Sequence, residues 1–306
     1  MRVLVIGAGA VGGYFGARLL EKGVDVTFFV REARRKLLEQ KGLFVRSVAG
    51  NIKLVANTLV SGEEARPFDV ILFATKAYHL EDVINSIKPY ASEETTIIPL
   101  LNGISHLERL QEEFGKERVI GGLCFIESTL NDDGEIIHTS KGHELRFGEL
   151  NGSATERIQK IDTLFSGTKA KFTCSERIIA DMWEKYLFIT TLSGITTLMR
   201  SSIGAIRHNE YGMNLIKRLF LEVETIMRAT GAPLDEQIVA KHMKTIEKMH
   251  DSMKSSMLRD IERAAMIEVD HLQGHLLRLA KRHEVDSPLL KLIYHHLQVY
   301  ELNRGM

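Results

Sequence analysis

Short, continuous apolar runs in the first hundred residues predict β-strands that are buried on both faces. The four runs are residues 3–6, 24–30, 69–74 and 95–101. Segments with the apolar spacing of helices separate several of them, as at residues 14–20 and 80–87. Because parallel neighbours in a sheet need crossover connections, this alternation of strands and helices predicts a parallel, doubly wound sheet.

The pattern changes after residue 121 and again after residue 176. Short strand-like runs at 136–138 and 145–148 predict antiparallel strands that extend the first sheet, and a helix follows at about 154–165. Beyond residue 176 the apolar spacing is helical almost throughout. The predicted helices are 177–199, 210–230, 235–249, 257–282 and 287–301. We therefore expect an α/β fold, with a sheet domain at 1–173 and an all-helical C-terminal domain at 174–306.

The composition argues against several classes of function. Lysine plus arginine and aspartate plus glutamate are equal at 40 each, so net charge does not indicate binding to nucleic acid or an anionic membrane. Two cysteines, Cys124 and Cys174, are too few for a disulfide scaffold. The sequence shows no signal-peptide pattern and no apolar stretch long enough to span a membrane. We therefore expect a cytoplasmic enzyme.

A glycine-rich loop lies between the first predicted strand and the first predicted helix. It reads Gly7, Ala8, Gly9, Ala10, Val11 and Gly12. In such a unit the first glycine permits a tight turn, the second admits a pyrophosphate, and the third lets the helix pack on the strand. The amides at the start of the helix then bind the phosphates. A turn that binds no nucleotide is the alternative, and the complete strand–loop–helix context favours a Rossmann-type dinucleotide site.

The end of the second strand indicates which dinucleotide is bound. NAD enzymes usually carry an acidic residue there for the ribose 2′-hydroxyl, whereas an arginine suits the 2′-phosphate of NADP. Arg31 stands at this position, followed by Glu32 and then by Arg34 and Arg35. The competing interpretation makes Glu32 the ribose ligand and leaves Arg31 in solvent. We favour NADP(H) as the cofactor.

Three further residues carry candidate chemistry. Lys76 and Asn102 each follow a predicted strand, at the carboxyl edge where ligands bind in open parallel sheets. Lys185 lies among apolar residues, between Trp183 and the run 186–189, and burial would lower its pKa toward that of a general acid. The alternatives are a solvated lysine and an Asn-Gly turn for the first two, and a lysine that reaches solvent for the third.

Together these residues resemble the ketopantoate reductase (2-dehydropantoate 2-reductase) family over essentially the whole chain. The resemblance rests on the glycine loop, Arg31, Thr75-Lys76, Asn102-Gly103, Trp183-Glu184-Lys185, residues 255–260, Glu268-Val269-Asp270 and Gly274. It implies NADPH-dependent reduction of a 2-keto acid to a 2-hydroxy acid. The first named candidate is 2-dehydropantoate, a step of pantothenate biosynthesis, ahead of related keto acids.

The resemblance also implies roles for individual residues. Lys185 matches the catalytic lysine, which would stabilise the developing negative charge on the keto oxygen and donate a proton to it. Glu268 matches the acidic residue shared by the catalytic and cofactor sites, and Ser256 matches a substrate-binding serine. The matches on the cofactor side are Lys76, Asn102 and, on a looser alignment, Ser128.

The chain departs from the family in residues that recognise the substrate. Four family asparagines are replaced, by Ile189, Ser193, Ile203 and Met253. Isoleucine offers neither donor nor acceptor, and a buried polar group left unpaired costs roughly 1–3 kcal/mol. Ser193 keeps a hydroxyl and is the candidate for one retained substrate contact, with Thr190, Thr191 and Arg200 as further sources. The catalytic residues are thus retained while substrate recognition is altered.

Other functions stay open on the sequence. Glu268, His271 and His275 are spaced to share a helix face, as metal ligands can be, but histidines are frequent in this chain and we expect no metal. A non-catalytic NADP-binding or sensor protein is the second hypothesis, and Lys185 with Glu268 argues against it. A 3-hydroxy acid or 6-phosphogluconate-type dehydrogenase would lack the signature at 255–274. The expected partner is a small keto acid, and no motif specifies whether the chain forms a homodimer.

Overall fold

The strands of the N-terminal half form two separate sheets. In the computed structural model, which describes residues 1–304, they are β1 Arg2–Ile6, β2 Asp25–Phe29, β3 Leu43–Ser47, β4 Ile52–Leu54, β5 Asn57–Leu59, β6 Phe68–Phe73, β7 Ala91–Pro99, β8 Gly121–Leu130, β9 Ile136–Gly148 and β10 Lys171–Cys174. The first sheet has the order β5-β2-β1-β6-β7, and every neighbouring pair in it is parallel. The predicted parallel, doubly wound sheet is confirmed.

Helices fill the connections of the first sheet and then make up the rest of the chain. Those of the N-terminal half are α1 Gly12–Glu21, α2 Glu32–Lys41, α3 Leu80–Ile87, α4 Ser105–Phe114 and α5 Glu156–Phe165. Those that follow are α6 Ile178–Met199, α7 Ile203–Arg207, α8 Gly212–Ala229, α9 Ile238–Lys248, α10 Ser256–Glu262, α11 His275–Arg282 and α12 Pro288–Arg304. Short 3₁₀ turns lie at Ala77–His79 and Lys88–Tyr90, and a π-helical turn lies at Asp270–Gly274. Across residues 1–304, no helix is long and apolar enough to cross a membrane.

The first sheet is covered on both faces, which explains its continuous apolar strands. In β1 the side chains of Val3 and Val5 enter one core cluster, together with Tyr14 of α1. Those of Leu4 and Ile6 enter the other core cluster, which contains side chains of α3 and α4. Because neighbouring residues of a strand point to opposite faces, burial of both faces requires an uninterrupted apolar run.

The strands predicted at 136–138 and 145–148 belong to one long strand of a second sheet. The prediction that they extend the first sheet is therefore wrong. β9 pairs antiparallel with β8 and parallel with β3 and β10. Its inward side chains Ile136 and Phe147 share a core cluster with Tyr14 of α1. Helix α1 thus lies between the two sheets and covers the apolar face of β9. This apolar face is therefore buried although β9 does not pair with the first sheet.

The helix predicted at 257–282 is interrupted, which is a second correction. After α10 the chain leaves the helical conformation, with a φ of 52° at Ala264, and the Ile267 amide donates to Glu301 Oε1 at 2.7 Å. The apolar spacing continues through the break because Ile267 and Val269 enter the same core as the helices on either side. No glycine or proline marks the interruption in the sequence.

The chain divides into two units whose boundary crosses the sequence more than once. The sheet unit comprises residues 1–101 and 106–179, and the helical unit comprises residues 102–105 and those from 180 onwards. The division expected between residues 173 and 174 thus falls after Ile179. The Ile178 side chain explains this shift, because a Cβ added to Gly121 of β8 would approach it to 2.6 Å. The first residues of α6 therefore pack with the sheet unit.

Candidate active site

The glycines of the loop are required for different reasons. Gly7 has a φ of 90°, which residues with a side chain rarely adopt. A Cβ on Gly12 would lie 2.4 Å from the Gly7 carbonyl oxygen, so this glycine lets α1 approach β1 closely. A Cβ on Gly9 would meet no atom of the described chain within 4 Å. The space beside Gly9 is open, as the close approach of a dinucleotide pyrophosphate requires.

The start of α1 fits an anionic group. The helix follows the loop directly, and Val11 at its N-terminal boundary provides no side-chain cap for the first amides. The first turn also contains no acidic residue. Because amides at a helix N-terminus lack partners within the helix, they form a site for phosphate. The loop residues of this chain therefore fit the pyrophosphate of a dinucleotide.

Two side chains from other elements of the sheet unit hold the glycine loop. Ser128 Oγ donates to the Ala10 carbonyl at 2.9 Å. Arg34 Nε donates to the Ala8 carbonyl at 3.1 Å, and its Nη1 donates to the Gly134 carbonyl at 2.8 Å. In the sequence Arg34 stands out only as part of a basic run. Its structural role depends on distant parts of the chain, so no local pattern could have indicated it.

Arg31 is exposed just beyond the end of β2. Arg35, by contrast, forms an ion pair with Glu63. The Arg31 Nη2 atom lies 3.3 Å from both ring nitrogens of His79. Burial, and then the charge of Arg31, lower the pKa of His79, so the imidazole is mainly neutral at pH 7 and can accept a hydrogen bond. Glu32, the competing ribose ligand, is exposed in the first turn of α2.

Lys76 lies at the same edge of the first sheet as Arg31. It follows β6, and its carbonyl accepts a hydrogen bond from the amide of His79 at 3.0 Å. His79 therefore connects the turn that begins at Lys76 with the guanidinium of Arg31. Two cationic side chains at the carboxyl ends of β2 and β6 suit the phosphates of a dinucleotide.

Lys185 and Glu268 are buried in the helical unit, and each is only 9% exposed. Lys185 lies on α6, and Glu268 lies just before the π-helical turn. The Tyr186 hydroxyl donates to the Leu272 carbonyl at 2.6 Å, which joins these two elements one residue after Lys185 and four residues after Glu268. Charged side chains are rarely buried to this extent unless they are paired or serve a chemical role. The two elements that carry the predicted catalytic residues are thus in direct contact.

His271 joins Asn102 to the segment that carries Glu268. Its Nε2 lies 2.7 Å from the Asn102 carbonyl oxygen, and its Nδ1 lies 2.9 Å from Ser105 Oγ. Because a carbonyl oxygen only accepts, Nε2 carries the proton and Nδ1 accepts from the serine. Burial lowers the pKa of His271, although the charge of Glu268 opposes this effect. Among the described residues, no group of three or more histidine, cysteine or acidic side chains could hold a metal ion.

The positions of the replaced asparagines differ in their surroundings. Ile203 is a fully buried core residue, and its amide donates to the Met253 carbonyl at 2.9 Å. Ile189 is half-buried and packs against the same core. Ser193 is 4% exposed, and its Oγ accepts a hydrogen bond from Gln273 Nε2 at 3.1 Å. Gln273 was not singled out in the sequence, where it lies inside the family signature without a pattern of its own.

At the start of α10 the two adjacent serines differ in exposure. The Ser255 Oγ accepts from the Leu258 amide at 3.1 Å and lies 2.8 Å from Thr196 Oγ1, so it caps α10 and ties it to α6. Ser256 is exposed as the first residue of that helix. Its substrate-binding role stays a prediction.

Comparison with known proteins relates both halves of the chain to one family. The family described as ketopantoate reductase PanE/ApbA matches residues 3–152, and its C-terminal counterpart matches residues 177–301. A Bacillus subtilis (strain 168) protein, named uncharacterized oxidoreductase YkpB, is 46% identical over 304 residues, which covers 99% of this chain and 100% of the relative.

Two solved structures extend the comparison to the whole fold. The 2-dehydropantoate 2-reductase from Geobacter metallireducens GS-15 is 26% identical with a TM-score of 0.89, and the match covers 97% of this chain and 99% of that one. A ketopantoate reductase from Staphylococcus aureus, described as dimeric, is 26% identical with a TM-score of 0.85, and the match covers 100% of both chains. The similarity therefore includes the sheet unit and the helical unit alike.

Proposed function

Because the chain belongs to the ketopantoate reductase family, we propose that it catalyses the NADPH-dependent reduction of a 2-keto acid to a 2-hydroxy acid. In this proposal the sheet unit binds NADP(H), the helical unit binds the keto acid, and 2-dehydropantoate is the first substrate to test. The observation that carries the proposal is the buried pair Lys185 and Glu268, on two elements joined by the hydroxyl of Tyr186.

Lys185 supplies the proton of the proposed reaction. Reduced NADP, when bound, supplies a hydride to the keto carbon, and negative charge then develops on the keto oxygen. The ammonium group of Lys185 stabilises this charge more strongly in a buried site than it would in water, and it donates its proton to the oxygen. Glu268 orients the ammonium group and accepts hydrogen bonds from ribose hydroxyls. The lysine regains its proton from solvent before the next turnover.

Four features of the sheet unit support NADP as the cofactor. The space beside Gly9 and the uncapped start of α1 suit the pyrophosphate. Arg31, exposed beyond β2, suits the 2′-phosphate. Lys76 lies at the same sheet edge and is proposed as a further cofactor contact. On the helical side, Asn102 is proposed to bind the cofactor, and His271 fixes its carbonyl group.

The test measures oxidation of NADPH and NADH in parallel, with 2-dehydropantoate and a panel of other 2-keto acids. We expect turnover with NADPH, and we expect Lys185→Ala to lower kcat about a hundred-fold or more because the proton donor is lost. Lys217→Ala is the matched control, since Lys217 is an exposed lysine of the same unit. This control should retain the wild-type rate.

Each contrary outcome identifies a different fault in the proposal. A preference for NADH would remove the role assigned to Arg31. Tight binding of NADPH with no turnover on any keto acid would favour the sensor function, which the four replaced asparagines make the second candidate. Wild-type turnover in Lys185→Ala would leave the proposed reductase activity standing but would contradict the role of Lys185 as its proton donor.

The proposal also includes a homodimer. It is supported by the dimeric staphylococcal ketopantoate reductase, whose similarity covers the whole of this chain. Light scattering on the purified protein measures the molar mass in solution, and a monomer across the working concentration range would remove this part of the proposal.

A further inference from the structure

Buried polar oxygens without partners lie along the second half of α6. The side chains of Thr190, Thr191 and Gln273 have no exposed surface (0%). Within residues 1–304 the two threonine hydroxyl oxygens and Gln273 Oε1 have no hydrogen-bond partner. Buried polar atoms in native proteins are nearly always hydrogen-bonded, so these three oxygens require a further hydrogen-bonding partner.

The contacts of the Gln273 carboxamide determine which of its two ends is unpaired. The Nε2 atom lies 3.1 Å from Ser193 Oγ and 3.5 Å from the carbonyl oxygen of Thr190. A carbonyl oxygen only accepts hydrogen bonds, so the amide NH₂ must face it, because the reverse orientation would set two acceptors against each other. The unpaired Oε1 is therefore an acceptor, and its missing partner is a donor.

Gln273 adjoins the elements that carry the candidate catalytic residues. Ser193, its hydrogen-bond partner, lies about two turns after Lys185 on α6. Gln273 itself follows Glu268 by five residues and lies within the π-helical turn. Single π-helical turns within helices occur frequently at functional sites. The carboxamide thus extends the candidate site beyond Lys185 and Glu268.

We propose that Gln273 determines substrate specificity by accepting a hydrogen bond from a hydroxyl group carried by the keto acid. This inference rests on the proposed reductase function. Ile189 and Ile203 stand where the family carries asparagines and offer no polar atoms in their side chains. A hydroxylated keto acid satisfies the buried Oε1, whereas a purely aliphatic one leaves it unpaired. The substrate class is therefore a hydroxylated 2-keto acid, and 2-dehydropantoate is a member of that class.

The experiment compares 2-dehydropantoate with 3,3-dimethyl-2-oxobutanoate, which lacks only the hydroxyl group. We expect the wild-type kcat/KM to be roughly ten-fold to a hundred-fold higher for the hydroxylated acid. Gln273→Met has a similar volume without the carboxamide, and it should lower kcat/KM for 2-dehydropantoate alone, so that the preference disappears. Gln298→Met is the matched control, because Gln298 is exposed on α12, and it should keep the wild-type preference.

Two results would overturn the inference. The first is a wild-type enzyme that reduces both acids equally well or prefers the deoxy acid, a result that needs no folded variant. The second is a Gln273→Met variant that folds, as judged by its thermal unfolding midpoint and NADPH affinity, and still keeps the wild-type preference. If the wild type reduces no keto acid at all, the proposed function itself fails, and this outcome is distinct from equal reduction of both acids.

Discussion

At the scale of single residues, two glycines of the glycine loop are required for different reasons, one by the fold and the other by a ligand. Gly12 lies against the Gly7 carbonyl oxygen and the Ala74 side chain, which a Cβ would approach to 2.4 and 2.9 Å. The fold itself therefore requires a glycine at this position. Gly9 has no such neighbour within the described chain. Only a ligand that passes close to the backbone makes a side chain unfavourable there.

Alanine substitutions at the two positions should consequently fail in different ways. We expect Gly12→Ala to lower the free energy of unfolding by about 1–3 kcal/mol, because its Cβ overlaps backbone and core atoms. Gly9→Ala should unfold like the wild type but bind NADPH about ten-fold or more weakly, because its methyl group occupies the phosphate path. Thermal unfolding and NADPH titration measure the two effects.

Gly142→Ala is the control for the glycine pair, since a Cβ there also meets no atom of the described chain within 4 Å. It should change neither stability nor affinity. Equal destabilisation by Gly9→Ala and Gly12→Ala would contradict the separate roles given to these glycines.

At the scale of elements, the sequence predicted a helix or strand well where its apolar pattern begins and ends with the element itself. β1 and α8 appear close to their predicted bounds, because each buries a pattern that its own residues define. The sheet to which β9 belongs could not be predicted from its apolar pattern. That pattern shows only that one face of β9 is buried, and it does not show which strands pair with β9 or which element covers the face. The break at 263–269 was equally hidden, because its apolar side chains enter the same core as those of the flanking helices.

Within the candidate site the same distinction holds. Lys185 and Glu268 were predicted as site residues from motifs contained in short stretches of sequence. The contacts of Arg34, His271 and Gln273 join parts of the chain that lie 26, 169 and 80 residues apart, so only the folded chain defines them.

The hydroxyl of Tyr186 joins α6 to the π-helical turn, and its removal should be measurable. Burial raises the pKa of Tyr186, so the group remains a donor to the Leu272 carbonyl. In Tyr186→Phe that carbonyl loses a buried partner, and we expect the free energy of unfolding to fall by about 1–3 kcal/mol in urea titrations. Tyr211→Phe, at a side chain that is 70% exposed, should leave it unchanged. An unchanged value in Tyr186→Phe would mean that packing alone holds the two elements together.

At the scale of the whole molecule, half-buried histidines of the helical unit should make folding sensitive to acid. Burial lowers the pKa values of His242 and His275 to about 4. The ring of His242 lies 5.1 Å from that of Phe188 and 5.5 Å from that of Phe220, so a charge there is poorly solvated. Between pH 6.5 and about 4 the unfolded chain binds protons that the folded chain does not. This stabilising contribution is complete above pH 6.5 and is lost as the pH falls through that range.

We therefore expect the free energy of unfolding to decrease between about pH 7 and pH 5, by of order 1–2 kcal/mol for each of these histidines. Urea titrations across this range measure the slope. His242→Gln should reduce the slope, whereas His283→Gln, at an exposed position, should not. A profile for His242→Gln that parallels the wild type would assign the acid sensitivity to other groups.

The short contribution of residues 102–105 to the helical unit has a consequence for recombination between related genes. From the sequence, a single crossover near residue 180 would be expected to separate the two units. It would nevertheless replace the segment that supplies the Asn102 carbonyl and Ser105 Oγ, which both contact the ring of His271. A donor gene could replace the rest of the sheet unit without disturbing the helical unit only if it brought compatible residues at these few positions. The helical unit is therefore discontinuous in the sequence, and chimaeras should be cut on both sides of that short segment as well as at residue 180.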